Sequence, residues 1–180
     1  MKPFIFWGGT DVDSRLYGEE HHPQAQWPDE VRDRAEKSLY EQHRDRGLPM
    51  IGICRGAQFL CVMNGGRLWQ HTRDHGTSHS LVTNKGETIP KACAGHHQVM
   101  DPTKTDHELI AWAPFPTEID TISSGIVTLE RSPEVVWFPK TKCLAIQPHP
   151  EWQEKDTPFY NWVDALVEEK FGFPNFLRSV

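Results

Sequence analysis

The chain has 180 residues, 37% of them hydrophobic, with seven tryptophans and nine phenylalanines to fill a core, so a single domain over 1–180 is expected. A net charge of −6 with no basic tract argues against a nucleic-acid or membrane surface, and no window has the apolar length of a membrane span. Four cysteines without a paired CxxC spacing, behind an N-terminus (MKPFIFWGG) unlike a signal peptide, fit reduced thiols in a cytoplasm.

Residues 3–7 (PFIFW) predict a buried strand ending at Gly8-Gly9, and residues 10–27 a loop rich in charge and histidine. From Pro28 to Arg46, Val31, Ala35 and Leu39 recur every four residues among charges, which predicts a helix lying on a sheet and stopping at Gly47. A strand over 49–53 runs into a helix over 55–64 that stops at Gly65-Gly66. Shorter strands follow at 79–83, 86–90, 108–113, 125–131, 134–138 and 143–147. Thr157-Pro158 opens a last helix with Phe159, Trp162, Val163, Leu166 and Val167 on one face and Gly172 as its stop. This alternation predicts an α/β domain with a mostly parallel sheet covered on both faces.

The stretch PMIGICRGAQFL (49–60) holds the chemistry. A cysteine near the end of an apolar strand is most often core. Cys54, however, sits between Gly52 and Gly56 where strand becomes helix, the pattern of a nucleophile elbow, whose close backbone approach tolerates no Cβ. Cys61, Cys93 and Cys143 lack that setting and read as structural. A cysteine nucleophile requires a base, and the base an orienter. LAIQPHPEWQ (144–153) offers both: His149 and Glu151 lie two residues apart, about 6.6 Å in extended chain, so Glu151 reaches one ring nitrogen and leaves the other for a thiol.

GICRGAQ and HPE together resemble the class I (triad) glutamine amidotransferases, and FWGGTDVDSRLYGEE (6–20) with GHHQ (95–98) resembles their γ-glutamyl hydrolase-like branch, which includes γ-glutamyl-γ-aminobutyrate hydrolases. The resemblance implies a flavodoxin-like α/β fold and hydrolysis of a γ-glutamyl amide through a cysteinyl thioester. It implies Cys54 as nucleophile, His149 as base and then acid, and Glu151 as orienter. Gly9 and Arg55 would give backbone N–H groups to the oxyanion, and Gly8, Gln58, His97 and Gln98 would contact the glutamyl head. The helix beginning at Arg55 should favour the Cys54 thiolate. Relative to that branch the chain begins one strand–helix unit later, and Cys93-Ala94 stands where Asn-Ser is usual. The sheet is therefore expected to be short at its N-terminal edge, with Phe4, Phe6, Trp7 and Trp27, or the edge beside them, contacting another chain.

His71, His75 and His79 are spaced i, i+4, i+8, but Gly76-Thr77-Ser78 interrupts any helix that would align them, so no metal is expected there. His21-His22 read as solvated loop residues, and His96 as a residue holding its loop. No cofactor is expected. Three functions follow: a glutaminase acting on L-glutamine and passing ammonia to a partner synthase chain, a stand-alone hydrolase of another γ-glutamyl amide or peptide, and a non-catalytic or metal-binding regulator. A homodimer is the alternative to the synthase as partner.

Overall fold

Short apolar runs separated by glycine, proline and charge give short strands, and the computed structural model, which describes residues 1–180, contains eleven. The first half holds β1 (Phe4–Phe6), α1 (Glu30–Asp45), β2 (Met50–Ile53), α2 (Arg55–Met63), β3 (Arg67–Trp69), β4 (His79–Thr83) and β5 (Thr88–Ala92). Then come β6 (Val99–Asp101), β7 (Glu108–Trp112), β8 (Thr117–Thr121), β9 (Gly125–Leu129), β10 (Pro133–Phe138), β11 (Cys143–Ile146) and α3 (Pro158–Phe171).

Seven strands form one sheet in the order β1-β2-β11-β10-β7-β4-β5. β1, β2 and β11 are parallel, as expected of the segment that carries Cys54 and His149. Beyond β11 the pairings are antiparallel, so the sheet is mixed over its full width. Tight connections such as Pro139–Lys142 allow only antiparallel neighbours, because a parallel return needs a crossover of a dozen or more residues. Two small pairs, β3-β6 and β8-β9, stand apart from this sheet. β3 and β6 have three residues each, too few for any periodicity to show.

Both faces carry helices. Alternate residues of β2 point opposite ways: Ile51 and Ile53 join Phe159, Val163 and Val167 of α3, while Met50 joins Phe59 and Leu60 of α2 and Tyr40 of α1. α1 starts two residues later than expected, at an Asp29 cap that accepts from the N–H groups of Val31 and Arg32. α3 keeps its expected limits, with Pro158 in its first turn and Gly172 in the left-handed conformation after it.

β1 is an edge strand. Phe6 is buried within this chain against Phe59, and Phe4 packs on Phe6 and His43. Their bulk is thus used internally, which leaves Trp7, Trp27 and the open edge of β1 as the parts of this region free to meet another chain. Trp7 and Trp27 are exposed.

Candidate active site

β2 delivers Cys54 to the carboxyl edge of the sheet, where its N–H donates to Ile146 O at 2.9 Å and ties the turn to the end of β11. Cys54 has φ 53° and ψ −111°, a region that costs a non-glycine residue about 1–3 kcal/mol. The flanking glycines make this turn possible. A Cβ on Gly52 would lie 2.3 Å from Gly56 O, and one on Gly56 would lie 1.9 Å from Phe6 O. Burial pushes the Cys54 thiol up to about 12, a trend that the Arg55 N–H opposes and that Glu151, Asp11 and Glu134 reinforce. Desolvation therefore opposes the pull toward the thiolate that the helix N-terminus supplies.

β11 ends three residues before His149, whose N–H donates to Cys93 O at 2.7 Å. His149 Nδ1 lies 2.7 Å from Glu151 Oε1, so with Nδ1–H as donor the Nε2 lone pair is free. A Cβ on Gly8 would come within 3.1 Å of His149 Cε1 and 3.7 Å of Cys54 Cβ, which places all three around one small space. That space opens into a cleft of about 370 Å³ lined by Trp7, Gly8, Gly9, Cys54, Gly95, His149, Glu151 and Trp152.

Arg32 of α1 donates to the carbonyls of Gly8 at 3.0 Å and Trp7 at 2.7 Å. A trans peptide points its N–H opposite to its C=O, so this clamp turns the Gly9 N–H away from Arg32, and that N–H has no acceptor within the protein. Arg55 also begins α2 with its N–H free of the helix ladder and close to the Cys54 sulfur. Its guanidinium runs the other way, buried against Asp33 and Glu36 of α1.

Gln58, His97 and Gln98 do not line the cleft, which departs from the sequence expectation. Gln58 is buried because its amide has inward partners, Gln147 Oε1 at 3.3 Å and Gln98 O at 3.5 Å. Gln98 donates to Asp11 Oδ2 at 3.1 Å, and His97 Nε2 lies 3.1 Å from Asp11 Oδ1. Asp11 holds the His97 imidazole above its usual range and ties His97 and Gln98 to the segment just after the Gly8-Gly9 turn.

Sequence reasoning passed over Trp152, Arg32 and Asp11, since none lies in a spacing that marks it out. It also passed over a histidine group. No helix aligns His71, His75 and His79, as expected, and His71 stacks instead on His22. Yet His75, His79 and His96 converge on the buried carboxylate of Glu134. The only sequence signal was chemical type, because Glu134 is 38 residues from the nearest of them.

The peptidase C26 family model matches residues 1–123, which include Cys54 and stop short of His149. A Mycobacterium tuberculosis protein provisionally named a glutamine amidotransferase is 31% identical over 96% of this chain and 57% of its own length. A Lactococcus lactis protein named as glutamine amidotransferase-like is 36% identical over 52% of this chain and 48% of its own. The chain thus spans about half the length of these curated relatives. A Thermoplasma acidophilum structure, provisionally named as a component of GMP synthase, aligns over 99% of this chain and 96% of its own, with a TM-score of 0.51 and 14% identity, a likeness of fold.

Proposed function

The chain belongs to the peptidase C26 family, and on that premise we propose that it hydrolyses the γ-amide of glutamine to glutamate and ammonia through a thioester on Cys54. One observation carries this reading: a strained cysteine at a strand-to-helix turn shares a cleft with an imidazole whose far nitrogen is held by a carboxylate.

In this mechanism the neutral Cys54 thiol gives its proton to His149 Nε2 as sulfur bonds to the amide carbon. Glu151 fixes the tautomer and offsets the imidazolium charge. The carbonyl oxygen, now an oxyanion, accepts from the Gly9 and Arg55 N–H groups, and losing one such donor typically costs about 3 kcal/mol. The C–N bond breaks as His149 returns the proton to the departing ammonia. Water then attacks the thioester, His149 takes its proton, and the thiol is restored with glutamate. Ammonia passes to a synthase chain docked at the cleft.

A second reading has support in the cleft walls. Trp7 and Trp152 are 41% and 61% exposed and flank the mouth, offering apolar surface to an amine substituent that free glutamine lacks. That favours a γ-glutamyl amine, hydrolysed by the same steps with no acceptor chain. Steady-state assays of glutamine against γ-glutamyl-γ-aminobutyrate decide between them. Higher kcat/KM for glutamine supports the amidotransferase reading, higher kcat/KM for the amine conjugate supports the hydrolase, and turnover of neither removes both.

A further inference from the structure

We infer that His75, His79, His96 and Glu134 form a binding site for one first-row transition-metal dication, Zn²⁺ by preference, distinct from the Cys54 cleft.

The hydrogen bonds on the outer sides of the rings carry this inference. His79 Nδ1 lies 3.0 Å from Thr77 O, and His96 Nδ1 lies 2.8 Å from Gln98 O. A carbonyl only accepts, so each Nδ1 bears the hydrogen and each Nε2 presents a lone pair inward. His75 Nε2 lies 2.9 Å from Thr117 Oγ1, a hydroxyl that also accepts from Ser132 Oγ and can either donate to the ring or accept from it; when Nε2 carries the hydrogen, Nδ1 is the inward lone pair. The inner atoms all point to the Glu134 carboxylate: His75 Nδ1 at 2.9 Å, His79 Nε2 at 3.3 Å and His96 Nε2 at 3.5 Å.

His79 and His96 thus present lone pairs to the carboxylate, and with His75 in the matching tautomer four acceptors face one another with no donor among them. His75 Nδ1, His96 Nε2 and Glu134 Oε2 have no hydrogen-bond partner although all are buried. Leaving such buried groups unpaired is destabilising. A proton relieves one nitrogen only, and three protons would bury three cations around one carboxylate. A single dication satisfies all four at once.

The carboxylate–imidazole dimensions agree. The four ligand atoms lie within 4.8 Å of one another. Tetrahedral zinc with bonds of about 2.0–2.1 Å needs ligand separations of roughly 3.3 Å, and the three carboxylate–imidazole distances bracket that value. Three imidazoles and one carboxylate suit zinc and its neighbours rather than magnesium or calcium, which prefer all-oxygen shells. The outer bonds to Thr77, Gln98 and Thr117 are the second shell that orients such ligands. Phe115 packs on the His75 and His79 rings, with centroids 5.3 and 5.4 Å away, and keeps the site apolar on that side.

A four-ligand shell leaves no open position, so the metal is structural. It pins three separate stretches: the 72–79 segment, the 93–98 loop and β10. The 93–98 loop also supplies Gly95 to the cleft and Cys93 O to the His149 N–H. The ion thus braces one wall of the Cys54 cleft without touching it.

The test uses the full chain, stripped with a chelator and titrated with Co²⁺ and then Zn²⁺. The expected result is one equivalent of Co²⁺ with the intense visible bands of tetrahedral coordination, displaced by Zn²⁺, and a higher thermal midpoint when loaded. His79→Ala, at a partly exposed position, should abolish the tetrahedral spectrum. Thr117→Ala removes an outer bond but no ligand and should weaken affinity by about 10–100-fold. Stripped protein that gives no tetrahedral Co²⁺ spectrum, or a spectrum and affinity unchanged by both substitutions, overturns the inference.

Discussion

The indole of Trp152 lies flat on the imidazole of His149, ring centroids 3.5 Å apart and planes parallel. Trp152 is otherwise open to solvent, so it covers the face of the ring that must become an imidazolium during attack. Such a contact at an exposed site contributes about 1 kcal/mol to the charged form. Trp152→Ala should therefore lower kcat roughly five-fold with the thermal midpoint nearly unchanged, and Trp152→Phe should recover most of it. Equal kcat for Trp152→Ala and the parent would remove any catalytic part for the stack.

Arg55 joins the elbow to α1 through a buried guanidinium whose partners, Asp33 and Glu36, also serve other contacts. Asp33 accepts from the Asp13 N–H at 3.0 Å, and Glu36 accepts from Arg32, the residue that clamps Gly8. Burial pushes the Asp33 carboxyl up, so without Arg55 its charge is stranded. Arg55→Met should destabilise the fold by about 3 kcal/mol or more, lowering the melting midpoint by roughly 6–12 °C. Adding Asp33→Asn should return part of the loss. Calorimetry of the two variants checks this, and an unaltered midpoint for Arg55→Met would contradict it.

A thiol pushed up to about 12 is protonated at neutral pH, and its thiolate fraction rises tenfold with each pH unit. Alkylation of Cys54 by a small neutral reagent should therefore keep climbing between about pH 6 and pH 9, with no plateau. Peptide-resolved alkylation rates measure this. A rate already flat above about pH 6 would mean a standing thiolate–imidazolium pair, as in low-pKa thiol enzymes.

Much of this was legible in the sequence, and the boundary is physical. Apolar runs with flanking glycine and proline located β2, α2, β11 and α3 closely, because local backbone preference and burial pattern agree there. Cys54, His149 and Glu151 stood out because an elbow and an i, i+2 pair are short-range patterns. The three-residue β3 and β6 carried no periodicity, and their pairing is a long-range event. Gln58 and Gln98 look the same in sequence whether they face a cleft or one another. Glu134 meets His75, His79 and His96 only after β10 has been laid beside β7, so nothing local to SPEVVWF announces it.

The proposed chemistry turns on Cys54 being the activated nucleophile of this cleft. Cys61 and Cys143 are fully buried, Cys93 is part-exposed, and Cys54 is 8% exposed at the cleft. The deciding experiment is labelling with a glutamine-shaped diazo-ketone, followed by intact mass and peptide mapping, on the parent, Cys54→Ala and His149→Ala. One adduct per chain is expected, located on Cys54, absent from Cys54→Ala and slowed by at least about 100-fold in His149→Ala. An adduct on Cys93, label spread over several cysteines, or a labelling rate indifferent to His149 would rule that role out.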